Sequence, residues 1–453
     1  MLIRPQTRVL IVGLGKSGRS ALRFCQGLGA VVSVSDAGAA GVENAHWLAG
    51  RGVKYELGGH SRDFFEAAEV IIVSPGVPDI PLLQEAGRRG ALVIGELALA
   101  PDYLRTPVMA ITGTNGKTTV TTLLGDLLRA AGRKVFVGGN IGTPLTDYLS
   151  GPQEADWVVL EVSSFQLDMA GGFRPRLGII LNISPDHLDR YKNMEDYALS
   201  KMSLLRNQLA ADSAILNADD PMICRLLGEN PPLSQRYYFG TSPGLEAVID
   251  GGRICLTKGP AAEDFQLPAT LTPAPNPANA AAAILSAGTA GCGRADIAAG
   301  LKAFRPLAHR LTPVAEINGV QYIDDSKATN VGAAAAALGS MERPVILIAG
   351  GLSKDGGYEL MRPLISEKVK AMLLIGEARF EMAAACRGLC PLELHDSLEG
   401  AVERAAELSE SGDIVLLSPA CASFDMFRSY GERGEVFQKL VGRLVGRLAG
   451  KAG

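Results

Sequence analysis

Val108-Met109-Ala110-Ile111 is an apolar run, and Gly113-Thr114-Asn115-Gly116-Lys117-Thr118-Thr119 follows it after a single threonine. Leu123, Leu124, Leu127 and Leu128 then recur at helical spacing. The order is strand, glycine loop, helix. A loop of this kind turns successive backbone N–H groups inward, and the helix N-terminus adds partial positive charge. Lys117 adds a full charge, and Thr118 or Thr119 a hydroxyl for a metal ion. These groups suit the phosphates of a nucleoside triphosphate with magnesium. The common spacing G-x-x-x-x-G-K-[ST] would put its first glycine at Ile111, so the loop is a shortened form. A glycine turn before a helix is usually only structural; the lysine and paired threonines favour phosphate binding.

Upstream, the strand-like Arg8 to Gly13 leads into Gly13, Gly15 and Gly18, then a helical segment and a second strand, Val31 to Val34, ending at Asp36. This is a dinucleotide fingerprint with its acidic residue in place. Three readings stay open: a tight structural turn, NAD, or another nucleotide whose diphosphate uses the same helix end. Further strands are expected at Val70 to Val73 and Leu92 to Ile94, and the βαβ series stops near Leu99. A linker, Pro101 to Pro107, leads to the phosphate loop.

The chain has 453 residues, 47% of them hydrophobic, so several full cores are affordable and more than one domain is expected. Its 53 glycines exceed the average of roughly 7%, as suits alternating strands and helices. A formal charge of −4 implies no broad basic surface, which argues against nucleic acid as a partner. Seven scattered cysteines without a C-x-x-C pair read as buried thiols in a reducing compartment. No apolar stretch approaches the ~20 residues of a membrane span, and the N-terminus does not read as a signal peptide. A cytoplasmic protein without a membrane partner is expected, and a monomer.

Between Pro107 and about Ala298, strands are predicted at Val135 to Val137, Trp157 to Leu160 and Leu177 to Leu181. The first is closed by Gly138-Gly139-Asn140-Ile141-Gly142. The second ends at Glu161, and the third runs through Asn182 into Pro185-Asp186-His187. Residues at strand C-terminal ends face the ligand crevice of an open α/β sheet. Glu161 is either paired locally or a magnesium ligand, and the neighbouring loop favours magnesium. Spacing alone does not make His187 a ligand, because magnesium prefers oxygen. Lys201 sits within an apolar helical stripe formed with Met194, Tyr197, Ala198, Leu204 and Leu205. It is either a snorkelling stem or a buried amine whose charge is altered. A neutral amine adds carbon dioxide and becomes a carbamate with two oxygens able to face magnesium. Asp219-Asp220-Pro221 reads as a helix start. Asn276 and Asn279 open an alanine-rich helix, as caps or as amides for a purine.

A third region begins near Leu301. His309-Arg310 precedes strands, and Tyr322-Ile323 leads into the polar run Asp324-Asp325-Ser326-Lys327-Ala328-Thr329-Asn330. Strands at Val345 to Ala349, Met372 to Ile375 and Ile414 to Leu417 end in small-residue loops: Gly350-Gly351 with Lys354, Gly376-Glu377, and Ser418-Pro419-Ala420-Cys421-Ala422-Ser423. This is a second doubly wound unit.

With these motifs quoted, the sequence resembles the Mur ligase family over nearly its whole length. Gly-Thr-Asn-Gly-Lys-Thr-Thr, Gly-Gly-Asn-Ile-Gly, Glu161 in L-E-V-S-S-F-Q-L, N-I-S-P-D-H-L-D and Lys201 carry the resemblance, while D-S-K-A-T-N and S-P-A-C-A-S point to the D-glutamate-adding branch. The resemblance implies an α/β fold of three domains: Rossmann-like over 1–99, a central ATPase domain with a mostly parallel sheet over 100–300, and a Rossmann-like domain over 301–453. It implies ATP, two magnesium ions and a carbamylated Lys201, with UDP-N-acetylmuramoyl-L-alanine and D-glutamate as substrates in peptidoglycan synthesis. Gly15, Lys16, Ser17, Gly18 and Asp36 would hold the UDP moiety, and Asn140 with His187 would place the substrate. Gly113, Thr114, Asn115, Gly116, Lys117, Thr118, Thr119, Asn276, Asn279, Arg310 and Asp325 would hold ATP. Thr118 and Glu161 would bind one magnesium, His187 and Lys201 the other. Lys327, Thr329, Lys354, Ser423 and Tyr430 would receive D-glutamate. Pro275 and Ala37 depart from the family pattern beside the expected adenine and uracil contacts. The rival from another class is an NAD-dependent oxidoreductase, which leaves the second phosphate loop unexplained. A family ligase with another amino acid, a folate-type polyglutamate ligase and a nucleotide sensor remain as further alternatives.

Overall fold

Runs of β-branched and aliphatic residues without alternation predict strands covered on both faces, and Leu10, Ile11 and Val12 indeed have no exposed surface. The structure is a computed structural model. It describes all residues except 39–41, 189, 258–261, 273–274, 306, 354–355 and 450–453, and all their side chains except those at 42–43 and 447–449. The chain forms two compact units. One comprises Met1–Ile183, Glu195–Gln266 and Asn279–Ala303, the other Ser184–Met194, Leu267–Ala278 and Phe304–Gly453.

The first unit contains two sheets. A five-stranded parallel sheet has the order Lys54–Leu57, Val31–Asp36, Arg8–Val12, Val70–Val73, Leu92–Gly95. The strand order reverses beside Arg8–Val12, so the crevice of the sheet opens at the turn after Val12. Every strand read from the sequence here is present. Lys54–Leu57 is an addition, a KYEL edge strand too polar to read as one. The linker is also more ordered than expected: a 3₁₀ turn, Glu96–Leu99, precedes it, and a short helix, Ala100–Tyr103, takes in its first residues.

The second sheet has nine strands. Val108–Thr112 lies inside it, between Leu177–Ile180 and Trp157–Glu161, with Val135–Gly139 beyond the latter. On the other side follow Ser213–Asn217, Gln235–Gly240, Ala247–Asp250, Arg253–Leu256 and Glu263–Gln266. Only the last two pairings are antiparallel. Ile111 pairs with Glu161 and Thr112 with Ile180, so Glu161 ends level with the start of the phosphate loop.

The second unit holds one six-stranded sheet, ordered Thr312–Ile317, Val320–Asp324, Ile414–Leu417, Val345–Gly350, Val369–Ile375, Leu392–Leu394. Its first pairing is antiparallel and the rest are parallel. Apolar clusters cover both faces. The four inner strands therefore end on one edge, at the loops that the sequence marked as small and polar.

Candidate active site

The turn after Arg8–Val12 is built for close approach. Gly13 has φ +90°, and a Cβ at Gly18 would stand 1.9 Å from the Gly13 carbonyl oxygen, so no larger residue fits there. Ser74 Oγ donates to that same carbonyl at 2.8 Å. Gly15 is the N-cap of the helix Lys16–Gly27, with Lys16 and Ser17 in its first turn. The Asp36 carboxylate accepts the Leu14 amide and, at 2.6 Å, the Gly38 amide, which ties the turn to the end of the second strand. A cleft of about 610 Å³ opens here. Gly13 to Ser17, Asp36 and His60 line one part of it, and Asn140, Gly142 and Gln166 another. Lys16 Nζ donates to the Gly142 carbonyl across it.

Asn140 connects this cleft to the phosphate loop. Its amide N–H donates to Glu161 O, and its Nδ2 to Glu161 Oε1, both at 2.9 Å. Glu161 is buried, and its Oε2 has no hydrogen-bond partner among the described residues. An orphaned carboxylate oxygen is costly unless a cation or donor meets it. Oxygen is also what magnesium takes, so Glu161 fits a magnesium ligand.

The loop Gly113 to Gly116 runs from Val108–Thr112 into the helix Lys117–Ala130. Gly116 has φ +84°, and a Cβ there would lie 2.2 Å from Asn279 Oδ1, so the buried Asn279 packs directly on the loop. Asn182 holds the loop from the adjoining strand end. Its backbone oxygen accepts the Thr114 amide, and its side chain exchanges hydrogen bonds of 2.8 and 3.0 Å with the Asn115 backbone. Lys117 Nζ donates to the Gly113 and Thr114 carbonyls at 2.8 and 2.7 Å. Thr118 and Thr119 occupy the first helical turn, where Thr118 is half-buried and Thr119 buried.

Lys201, on the helix Met194–Met202, is 2% exposed. Its Nζ donates to Gly113 O at 3.0 Å and lies 4.4 Å from the Tyr197 ring centroid. The snorkelling alternative is therefore excluded, since the ammonium does not reach solvent. Lys117, Glu161, Lys201 and Asn279 thus belong to one neighbourhood in the first unit.

The remaining predicted residues lie in the second unit. His187 has φ +59°, a left-handed conformation, and its Nε2 is 3.6 Å from Asp186 Oδ2. Asn330 Nδ2 donates to the same oxygen at 3.0 Å. Asn276 is half-buried at the start of Asn276–Thr289. Asp325 accepts from Ser418 Oγ at 2.9 Å and from the Leu311 amide at 3.2 Å. Lys327 Nζ stands 3.8 Å from the Tyr430 ring centroid, and Thr329 N–H donates to Lys327 O. Arg310 is half-buried and Ser423 buried. Lys354 lies outside the described residues.

Burial pushes the Asp325 carboxyl from 3.8 up to about 7, against the lowering effects of Ser418, the Leu311 amide and Arg310. An unfolded aspartate loses its proton near pH 4, whereas this one keeps it to about 7. Between those values the folded state binds more protons, so stability falls as pH rises. Asp325→Asn is expected to flatten that slope, checked by thermal unfolding of variant and parent from pH 4 to 8.

Arg433 was missed in the sequence reading. It is 1% exposed, and it donates to Ser326 Oγ, Ser326 O, Cys421 O and Ala422 O at 3.0, 2.9, 3.1 and 3.3 Å. One guanidinium thereby joins the Asp324 to Asn330 run to the Ser418 to Ser423 run. The expectation of buried thiols also needs correction. All seven cysteines are free, but Cys224 is exposed, and only Cys25, Cys386 and Cys421 are fully buried.

Three family models match the chain. They are a Mur ligase MurD-like N-terminal domain at 7–95, a Mur ligase middle domain at 111–287 and a Mur ligase glutamate ligase domain at 309–421. A UDP-N-acetylmuramoylalanine–D-glutamate ligase of Desulfotalea psychrophila is 47% identical, covering 97% of this chain and 96% of its own. Another, of Geobacter metallireducens, is 41% identical, covering 96% and 97%. Among solved structures, a pseudomurein peptide ligase type C from Methanothermus fervidus shares the fold at TM-score 0.61 and 19% identity, covering 97% of this chain and all of that one. A MurF ligase from Thermotoga maritima in complex with ADP does so at TM-score 0.60 and 18% identity, covering 97% and 96%. Matched by three consecutive domain models and by relatives of near-equal length, the chain belongs to the Mur ligase family.

Proposed function

We propose that this chain is an ATP-dependent ligase that joins D-glutamate to UDP-N-acetylmuramoyl-L-alanine, giving ADP and phosphate, in peptidoglycan precursor synthesis. The observation that carries the reading is Asn140. It lines the nucleotide cleft and holds Glu161 beside the phosphate loop, so a carboxylate reaching from the cleft arrives where a γ-phosphoryl group would lie.

A carboxylate is a poor electrophile, so its oxygen first takes the γ-phosphoryl group of ATP. The loop amides of Gly113 to Thr119 and the Lys117 ammonium offset the charge that gathers on the transferring group. The D-glutamate amine, neutral when it attacks, then displaces phosphate from the acyl phosphate as the amide forms. Excluding water protects that intermediate from hydrolysis. Magnesium, held by Thr118 with Glu161 and by His187 with carbamylated Lys201, would supply further charge neutralisation at the phosphates. Gly15, Lys16, Ser17, Gly18 and Asp36 would seat the UDP moiety. Asn276, Asn279, Arg310 and Asp325 would hold ATP. Lys327, Thr329, Lys354, Ser423 and Tyr430 would receive D-glutamate.

The three regions 1–99, 100–300 and 301–453 would act as substrate, ATP and amino-acid domains of a cytoplasmic monomer. No described helix is long and apolar enough to cross a membrane. A dehydrogenase reading leaves Lys117, Glu161 and Lys201 without a task. Purified protein with ATP, magnesium, UDP-N-acetylmuramoyl-L-alanine and D-glutamate is expected to release phosphate and form the amide in equal amounts. Absence of both products would sink the reading.

A further inference from the structure

We propose that Glu96 is a positioning residue of this ligase: by capping the helix Leu145–Leu149 it fixes the loop Gly138 to Pro144, and with it Asn140, against Glu161. The inference rests on the ligase reading for the role of Asn140.

The loop is open at its crown, where Asn140, Gly142 and Thr143 are exposed. Its footing is Leu145 and Thr146, both buried at the start of the helix Leu145–Leu149. The first amides of a helix find no partner within it. Pro144, the N-cap, makes no side-chain bond to them. Glu96 takes that place from 50 residues upstream. Its Oε1 accepts the Thr146 amide at 2.8 Å and lies 2.7 Å from Thr146 Oγ1. The Leu145 amide faces the same carboxyl group. An acid at a helix N-terminus also meets the positive end of its dipole.

Thr146 Oγ1 is equally 2.7 Å from Ser20 Oγ, which donates to Asp147 Oδ1 at 2.6 Å. Ser20 belongs to the helix Lys16–Gly27, whose first turn lines the cleft. Both walls of the cleft thus meet at Thr146. Gly95, next to Glu96, donates its amide to Met169 O at 2.9 Å. Met169 closes the helix Ser164–Asp168, which follows Glu161. The end of one strand in the five-stranded sheet therefore holds the two segments that Asn140 links.

Filling space does not account for an acid here. Glu96 is buried, and its Oε2 has no hydrogen-bond partner among the described residues. Burial pushes its carboxyl above the ordinary value, against the pull of the Thr146 bonds. Leucine would fill the site without an orphaned oxygen. What leucine lacks is the acceptor for the helix end.

Full-chain variants are compared by phosphate release at saturating substrates, by calorimetry with UDP and by amide hydrogen exchange. Glu96→Leu is expected to lower turnover about tenfold or more, since small misplacements of reacting groups are costly. UDP affinity is expected to change little, and exchange to quicken within 138–149 but not in the strands of either sheet of the first unit. Glu96→Gln, whose amide oxygen still accepts the Thr146 N–H, is expected to restore most of the turnover and the slow exchange. Parent-level turnover in Glu96→Leu overturns the proposal. So does a glutamine variant as impaired as the leucine one, or exchange quickened evenly across the first unit, which marks a merely structural role. The parent supplies a further check should the leucine variant not fold. Its Thr146 N–H is expected to exchange as slowly as the amides of Trp157–Glu161, and fast exchange overturns the proposal. A parent that forms no amide refutes the ligase reading, while the exchange measurements still decide whether Glu96 holds the loop.

Discussion

Lys117→Ala is expected to abolish ATP-dependent amide formation while UDP still binds in the cleft around Gly15. The ammonium sits over the mouth of the glycine loop, bonded to the carbonyls of Gly113 and Thr114. Its removal leaves the loop amides without the only full positive charge in the loop sequence itself. Loss of one such charge-stabilising group costs about 10²–10³-fold in turnover, and a mobile triphosphate compounds it, so a fall of about a thousandfold or more is expected. Turnover is read as phosphate release and binding as calorimetric titration with UDP. The nucleotide cleft is lined by other residues. Equal loss of both properties would overturn the assignment of separate nucleotide sites.

Lys201→Ala is expected to reduce turnover by about a hundredfold or more, and small carboxylates such as acetate are expected to restore part of it. Burying an ammonium is unfavourable, and Lys201 is buried with its Nζ on the Gly113 carbonyl and against the Tyr197 ring. Addition of carbon dioxide to the neutral amine forms an N–C bond and releases a proton. It converts a buried cation into an anion that can face magnesium. If Lys201 served only as a strut for Gly113, the alanine variant would be impaired but indifferent to acetate. Full activity in the unaided variant would refute the carbamate.

The fold was legible wherever burial wrote it into composition. Strands covered on both faces, such as Val70–Val73 and Ile414–Leu417, are continuous apolar runs, and the sequence reading found them. Lys54–Leu57 and Leu392–Leu394 were missed. They are edge strands whose side chains are only partly covered, so polar residues interrupt the pattern. The site divides in the same way. Glu161 and the glycine loops are defined by neighbours in sequence. Asp220 was read as a helix start, and its carboxylate does accept the Met222 and Ile223 amides. His60 escaped notice because its partner Ser35, and the Glu56 that accepts from the same serine, come from two different strands. Arg433 was findable. Phe437, Leu440 and Val441 stand four, seven and eight residues beyond it and are all buried, the same conflict of charge and apolar stripe that singled out Lys201.

Arg433 has a consequence for the field inside the second unit. Its four hydrogen bonds all end on uncharged oxygens. Burial lowers its pKa only to about 10, so the guanidinium is cationic at neutral pH. With no carboxylate within ion-pair distance among the described residues, and little water to screen it, its charge projects through the Ser326 and Cys421 backbones. A guest molecule settling on those loops would feel attraction in proportion to its own negative charge. A second carboxylate would therefore gain over a single one before any side chain touched it.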